Sequence, residues 1–250
     1  MQETISIVIP VYNSYNSLEE LYNKLTKTLE KNFDNYELIM VDDHSQDESF
    51  KKLKELHEKD NRIKVIKLAY NFGQQNALMC GFHHSSGDYI VTMDDDLQHL
   101  PADVIELYQE IKKGYDIVYG IPTERQQRLY RRIGSYLTDK IFNLITDKSK
   151  DIKVSSFRIL KRSLLKKVLN DKRSFVYISA IILNLTDNIG NIYIEHEERK
   201  HGDSNYNFKK LIKLFLKLYI YYSDNKICKL FKKSQPQFLI EDKAGFKKEQ

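Results

Sequence analysis

The chain has 250 residues, of which 41% are hydrophobic and 30% charged, with a net charge of +5. That balance suits one large α/β domain with a real core, with or without a short appendage. No apolar run nears the ~20 residues that a membrane helix needs, and the late apolar stretch 214–222 is broken by Lys217. The two cysteines, Cys80 and Cys228, lack metal or redox spacing and point to plain thiols in a reducing compartment. The N-terminus shows no basic segment followed by an apolar one, so a cytoplasmic location is expected. Charge is uneven. Residues 1–123 carry 12 Lys/Arg against 21 Asp/Glu, and residues 124–173 carry 15 against 5. An acidic first half can hold a cation and a basic segment can hold phosphates.

In chain order, Ile5–Ile9 reads as a buried strand followed by a helix near 17–31. Tyr36–Val41 is a strand with a helix near 47–59, and 63–68 is a strand with a helix at 74–84. Then come strand 89–93, helix 101–112 and strand 116–119. Short apolar strands separated by amphipathic helices imply a mostly parallel, Rossmann-like sheet covered on both faces. Residues with chemistry then belong just after the strands. The second half is less regular. Helices are expected at 125–145, 162–169, 175–185 and 208–222, strands at 154–160 and 191–195, and a loose polar tail from 235.

After the first strand stand Pro10, Tyr12 and Asn13, which offer a turn, an aromatic face and an amide. After the second stand Asp42, Asp43, His44 and Ser45. Asp42 suits a ribose or the edge of a base, while Asp43 or Ser45 could cap the next helix. After the third, Asn71 and Gly73 lead into a helix whose N-terminus could face a phosphate.

The sharpest signal follows the fourth strand. Asp94, Asp95 and Asp96 are consecutive carboxylates, and their repulsion is hard to explain without a cation. In an extended chain 94, 96 and 98 share a side. Asp94, Asp96 and Gln98 therefore offer hard oxygen ligands for Mg²⁺ or Mn²⁺. Beyond them, Arg125, Arg128 and Arg131 suit phosphate oxygens. The stretch 196–206 gathers Arg199, Gly202, Ser204 and Tyr206 in a loop suited to phosphate.

Together these residues resemble glycosyltransferase family 2 with the GT-A fold, in the dolichyl-phosphate mannosyltransferase and polyprenyl-phosphate glycosyltransferase group. The resemblance spans about 4–225. Residues 7–13, 41–45, 71–77 and 94–98 look like the family's nucleotide and metal motifs, and 156–160 like its acceptor-side segment. The spacing of His196, Arg199, Gly202, Ser204 and Tyr206 is similar to a loop specific to the lipid-phosphate group. Ser14 and Ser156 stand where many relatives have carboxylates, and many bacterial relatives continue into membrane helices.

The resemblance implies an α/β GT-A domain over 1–206. Its halves are 1–123 for nucleotide-sugar and metal and 124–206 for acceptor, followed by basic amphipathic helices at 207–233 and a flexible tail at 234–250. It implies an inverting sugar transfer from a nucleotide-diphosphate sugar to a polyprenyl phosphate. Asp96, Arg131 and Arg199 would be catalytic. Pro10, Tyr12, Asn13, Asp42, Asn71, Gly73, Asp94 and Asp95 would hold the donor. Arg125, Arg128, Ser156, Arg158, Ser204 and Tyr206 would hold the acceptor. The cation, Mg²⁺ or Mn²⁺, would sit on Asp94, Asp96 and Gln98. Expected partners are the donor, a lipid phosphate, the inner face of the cell membrane, and a second copy or a membrane protein, with no nucleic acid. Two other readings are a transferase acting on a glycan hydroxyl and a non-catalytic nucleotide-sugar-binding subunit. A nicotinamide dehydrogenase is disfavoured because Pro10-Val-Tyr-Asn13 replaces the glycine-rich turn after the first strand.

Overall fold

The computed structural model describes residues 3–123, 152–195, 216–222 and 235–246. The first five strands are β1 (Thr4–Val11), β2 (Asn35–Asp42), β3 (Ile63–Leu68), β4 (Tyr89–Thr92) and β5 (Ile117–Pro122). Four helices alternate with them: α1 (Tyr15–Asn32), α2 (Ser49–Lys59), α3 (Gln74–His84) and α4 (Pro101–Ile111). The second half adds β6 (Arg158–Lys161), α5 (Arg162–Val168), α6 (Ile178–Leu183) and β7 (Ile189–Ile194), a helical stretch at 216–222, and β8 (Ile240–Ala244).

All eight strands form one sheet in the order β7-β5-β6-β4-β1-β2-β3-β8. β1 pairs in parallel with β2 and β4, β2 with β3, and β5 with β7. β6 runs antiparallel between β4 and β5, and β8 runs antiparallel along β3. The expected mostly parallel sheet is therefore present, with two reversed strands.

Strand alternation divides the core into two layers. Ile5, Ile7 and Ile9 of β1 face Leu18, Leu21, Leu25 and Leu29 of α1, Leu53 of α2 and Leu107 of α4. Val8, Ile39 and Val41 face the other way, onto α3, α5 and α6. Helices thus cover both faces. Gly81 lets α3 lie against β1, because a Cβ there would fall 2.3 Å from Val8 Cγ1.

The expected loose tail is corrected over part of its length. Residues 240–244 pair with β3, Ala69 N donates to Leu239 O at 2.9 Å, and Gln237 Nε2 bonds the Asp171 and Arg173 carbonyls. Ile240, Phe238 and Phe246 pack on the α3 side, while Glu241 and Asp242 pair with Lys67 and Lys54. Half-buried alternation in a charged segment is a weak strand signal, which is why composition alone suggests a tail.

Of the expected helix at 208–222 the described part, 216–222, is helical. It buries Leu218 and packs Tyr222 beside Phe175, with Lys217 over the Phe175 ring. The expected helix at 125–145 lies outside the described residues. Among the described residues no helix is long and apolar enough to cross a membrane.

Candidate active site at the carboxyl end of the sheet

Parallel strands that end together bring their following loops together. The loops after β1, β2, β3 and β4 meet here through a network of short side chains.

Asn13, left-handed at φ 52°, lies at the turn after β1. Its N–H donates to Ser45 Oγ at 3.0 Å, and its Oδ1 accepts Gln46 N–H at 2.7 Å. Asn13 thus locks the β1 and β2 loops together. Tyr12 beside it leaves its ring half exposed.

The two aspartates after β2 play different parts. Asp42 is fully buried, and its Oδ2 accepts Ser45 N–H at 3.1 Å while its Oδ1 has no partner. Burial pushes its pKa up. Asp43 does not cap α2, whose N-cap is Glu48 with no side-chain bond. It instead reaches across to the loop after β3, accepting Phe72 N–H at 2.7 Å and Gly73 N–H at 2.8 Å. Burial outweighs these bonds and pushes the Asp43 pKa up to about 6. Asp43 thereby fixes the start of α3. Gly73 (φ 88°, ψ 154°) occupies a region that is essentially reserved for glycine, with open space where a Cβ would stand.

The first residue of α3, Gln74, donates from Nε2 to Asp94 Oδ1 at 2.6 Å. Asp94 Oδ2 accepts Ser156 Oγ at 3.0 Å. Asp95 turns toward the β1 loop, where its Oδ2 accepts the Ser14 hydroxyl and Tyr12 N–H. Burial pushes its pKa up to about 6, and its neighbours Asp94 and Asp96 add to the rise. Asp96 Oδ1 accepts Gln98 N–H at 3.2 Å.

The segment is not extended as alternation would require. Leu97 adopts φ 63° and is buried, so the chain bends at 95–97. Asp94, Asp95 and Asp96 therefore serve three different directions, and Gln98 is 7% exposed. Behind them His99 stacks on Phe157 with ring centroids 4.4 Å apart, and burial lowers its pKa to about 4.

The antiparallel β6 enters beside this bend. Thr92 Oγ1 donates to the Ser156 carbonyl, and Ser156 in turn holds Asp94. Arg158, expected among the acceptor-binding residues, is enclosed in the fold. It is 1% exposed, with Nη1 donating to Ser179 Oγ at 3.0 Å.

The structure thus gathers Pro10, Tyr12, Asn13, Asp42, Asn71, Gly73, Asp94, Asp95, Asp96, Gln98 and Ser156 at one end of the sheet. Arg125, Arg128, Arg131, Arg199, Ser204 and Tyr206 lie outside the described residues. Ser14, Asp43, Ser45 and Gln74 complete the network and were not singled out as site residues from sequence. The available signal was position: each follows a strand or opens a helix at the ligand-binding end of the sheet.

Among the described residues no three His, Cys, Asp or Glu side chains form a ready-made metal cage. The donor set nonetheless fits a hard divalent ion. Asp94 and Asp96 are partly exposed carboxylates on one bend, and Mg²⁺-type sites commonly use one or two carboxylates together with substrate phosphates.

A mostly parallel sheet covered by helices, with acidic and small polar residues at its carboxyl end, is the architecture of a GT-A-like α/β domain. The family model for glycosyl transferase family 2 matches residues 6–169, and the chain belongs to that family. The undecaprenyl-phosphate 4-deoxy-4-formamido-L-arabinose transferase of Edwardsiella ictaluri is 34% identical over 215 residues, 86% of this chain. Its counterpart in Klebsiella pneumoniae is 32% identical over the same share. The chain spans 66% of the length of each of these relatives. Among solved structures, glucosyl-3-phosphoglycerate synthase from Mycobacterium tuberculosis with Mn²⁺, UDP and glucosyl-3-phosphoglycerate superposes with a TM-score of 0.64. That match has 17% identity and covers 88% of this chain and 78% of the other. This likeness establishes the fold.

Proposed function

We propose that the chain is an inverting glycosyltransferase moving a sugar from a nucleotide-diphosphate sugar to a polyprenyl-phosphate lipid at the inner face of the cell membrane. The observation that carries this reading is the bend at Asp94–Asp96, onto which the loops of β1, β3 and β6 converge through Ser14, Gln74 and Ser156. The names of the relatives supply the substrate class, since both are undecaprenyl-phosphate sugar transferases.

In this reading Tyr12 and Asn13 flank the nucleoside. Asp42, with its buried, unpartnered Oδ1, offers it an acceptor. Asp94 and Asp96 would hold Mg²⁺ or Mn²⁺ with Gln98 nearby, and the ion would neutralise the charge that develops on the departing diphosphate. The solved relative's complex with Mn²⁺ and UDP supports a divalent ion. Arg125, Arg128, Arg131 and Arg199 would bind donor or acceptor phosphates, and Ser204 and Tyr206 would contribute to the acceptor side.

Ser156 favours a phosphate acceptor over a glycan hydroxyl. It places a hydroxyl, not a carboxylate base, beside Asp94. A phosphate with a second pKa of about 6 is already anionic near neutral pH, whereas a sugar hydroxyl needs a base.

The test has two stages. Thermal shifts with UDP-, GDP- and dTDP-sugars, each with and without Mn²⁺, are expected to show metal-dependent stabilisation by one donor class. Radiolabel from that donor is then expected in undecaprenyl phosphate and not in oligosaccharide. No shift with any donor in the presence of metal would overturn the reading.

A further inference from the structure

Arg158 is the largest fully buried side chain of the described residues, at 1% exposure. A guanidinium stays protonated inside proteins, so this is a positive charge enclosed in the fold. Ser179 Oγ is its one hydrogen-bond acceptor, and its Nε and Nη2 have none. No described carboxylate pairs with it directly. The buried Tyr119 hydroxyl lies beside it, a neutral group that interacts with the guanidinium without supplying a formal negative charge. Burying a cation without a paired anion costs several kcal/mol, so packing alone is a poor reason for an arginine here.

Its position supplies a better one. Arg158 lies in register with Thr92 of β4 on one side and Tyr119 of β5 on the other. Thr92 is two residues before Asp94, and Ser156 is two residues before Arg158. Those four residues are laced by Thr92 Oγ1 to the Ser156 carbonyl and Ser156 Oγ to Asp94. The buried charge therefore sits one step beneath the acidic bend, on strands joined to it by hydrogen bonds. Asp94 is a carboxylate that acts on it electrostatically.

We infer that Arg158 is a positioning residue whose fixed charge biases the acidic bend against holding a divalent cation by itself and toward holding the cation together with an anionic diphosphate. Asp94 and Asp96 alone would grip a metal with nothing to transfer. A cation below them weakens that empty grip and adds attraction when the diphosphate arrives. Ser179 anchors the guanidinium to α6 so that the charge cannot swing away. This inference rests on the donor-site reading above and adds a residue to it.

The test compares Arg158→Met and Arg158→Lys with the unaltered chain. It measures Mn²⁺ binding alone, then binding of UDP, GDP and dTDP at saturating Mn²⁺, and thermal stability. Two residues of strand span about 7 Å, and a unit charge at about that distance from a divalent ion shifts its binding at least about fivefold even at a water-like dielectric. Arg158→Met is therefore expected to bind Mn²⁺ alone about fivefold more tightly and the nucleoside diphosphate at least about fivefold more weakly. Its melting temperature should not fall, because replacing a buried ion with an apolar side chain of similar volume is often neutral or stabilising. Arg158→Lys should keep both affinities near those of the unaltered chain.

A purely structural arginine would weaken both ligands together and lower the melting temperature, and that result, or no change in either affinity, overturns the inference. Should Arg158→Met fail to fold, Arg158→Gln carries the same charge change and the same expected opposite shifts. If the unaltered chain binds neither Mn²⁺ nor any of the three nucleotides, the donor-site reading itself fails, and that outcome is seen before any variant is made.

Discussion

Replacing Asp43 with asparagine should make the chain more stable at alkaline pH. The carboxylate is 3% exposed and holds Phe72 N–H and Gly73 N–H, yet its pKa is pushed up to about 6 because burial dominates. The folded state therefore holds a proton on Asp43 up to a higher pH than the unfolded chain does. The stability linked to that proton is fully present below the unfolded pKa of 3.8 and is lost as pH rises through about 6. A gap of about two pKa units corresponds to about 3 kcal/mol at pH 8. Asparagine has the shape of the protonated acid and does not titrate, so it avoids this loss. Urea unfolding of Asp43→Asn and the unaltered chain should give equal midpoints near pH 4 and a gap favouring the variant that grows to about 3 kcal/mol by pH 8. Donor affinity should fall in the same variant, because an amide offers one acceptor where the loop before α3 presents two N–H groups. An unaltered chain that is the more stable one at pH 8 would refute the reasoning, since the two backbone bonds would then outweigh burial.

Asp96→Asn should abolish the Mn²⁺-dependent part of the thermal shift with donor and lower turnover at least about 100-fold, as loss of a group that stabilises charge in the transition state does; transfer assays with metal titration check both. Gly73→Ala should cost about 1–3 kcal/mol from backbone conformation alone, because its Cβ would meet nothing within 4 Å; denaturant midpoints measure it. Ile240→Lys should lower stability by about 1–3 kcal/mol, as a half-buried apolar side chain of β8 is lost. It should also speed hydrogen exchange at Ala69, whose N–H bonds Leu239 O.

The first half of the fold was legible because its strands are short apolar runs and its helices amphipathic. β3 and α3 begin and end where hydropathy and Gly73 place them. Position after a strand was enough to mark Asn13, Asp42, Gly73 and the acidic trio.

What escaped was direction. Alternation assumed an extended 94–98, and nothing in a leucine announces that Leu97 will take a left-handed conformation and send three neighbouring aspartates three ways. Adjacent Asp42 and Asp43 look equivalent in sequence, but one is held by Ser45 and the other reaches a loop 30 residues away. Arg158 was expected to hold the acceptor because its segment resembles the family's acceptor side, and only the packed sheet shows it enclosed. β8 escaped because three of its five residues are charged, and Ile240 and Ala244 alone are apolar.

The pairing of β8 with β3 also bears on how the molecule comes into being. Lys67 and Glu241, which meet across that pairing, are 174 residues apart. The strands β1 to β5 and their helices can form early in synthesis, but the support beside Ala69 arrives only with residues 239–244. Contacts so distant in sequence form slowly, and an unpaired edge is prone to find other chains first. A nascent chain halted before residue 235 would therefore carry every aspartate of the site while leaving the β3 edge open to aggregation.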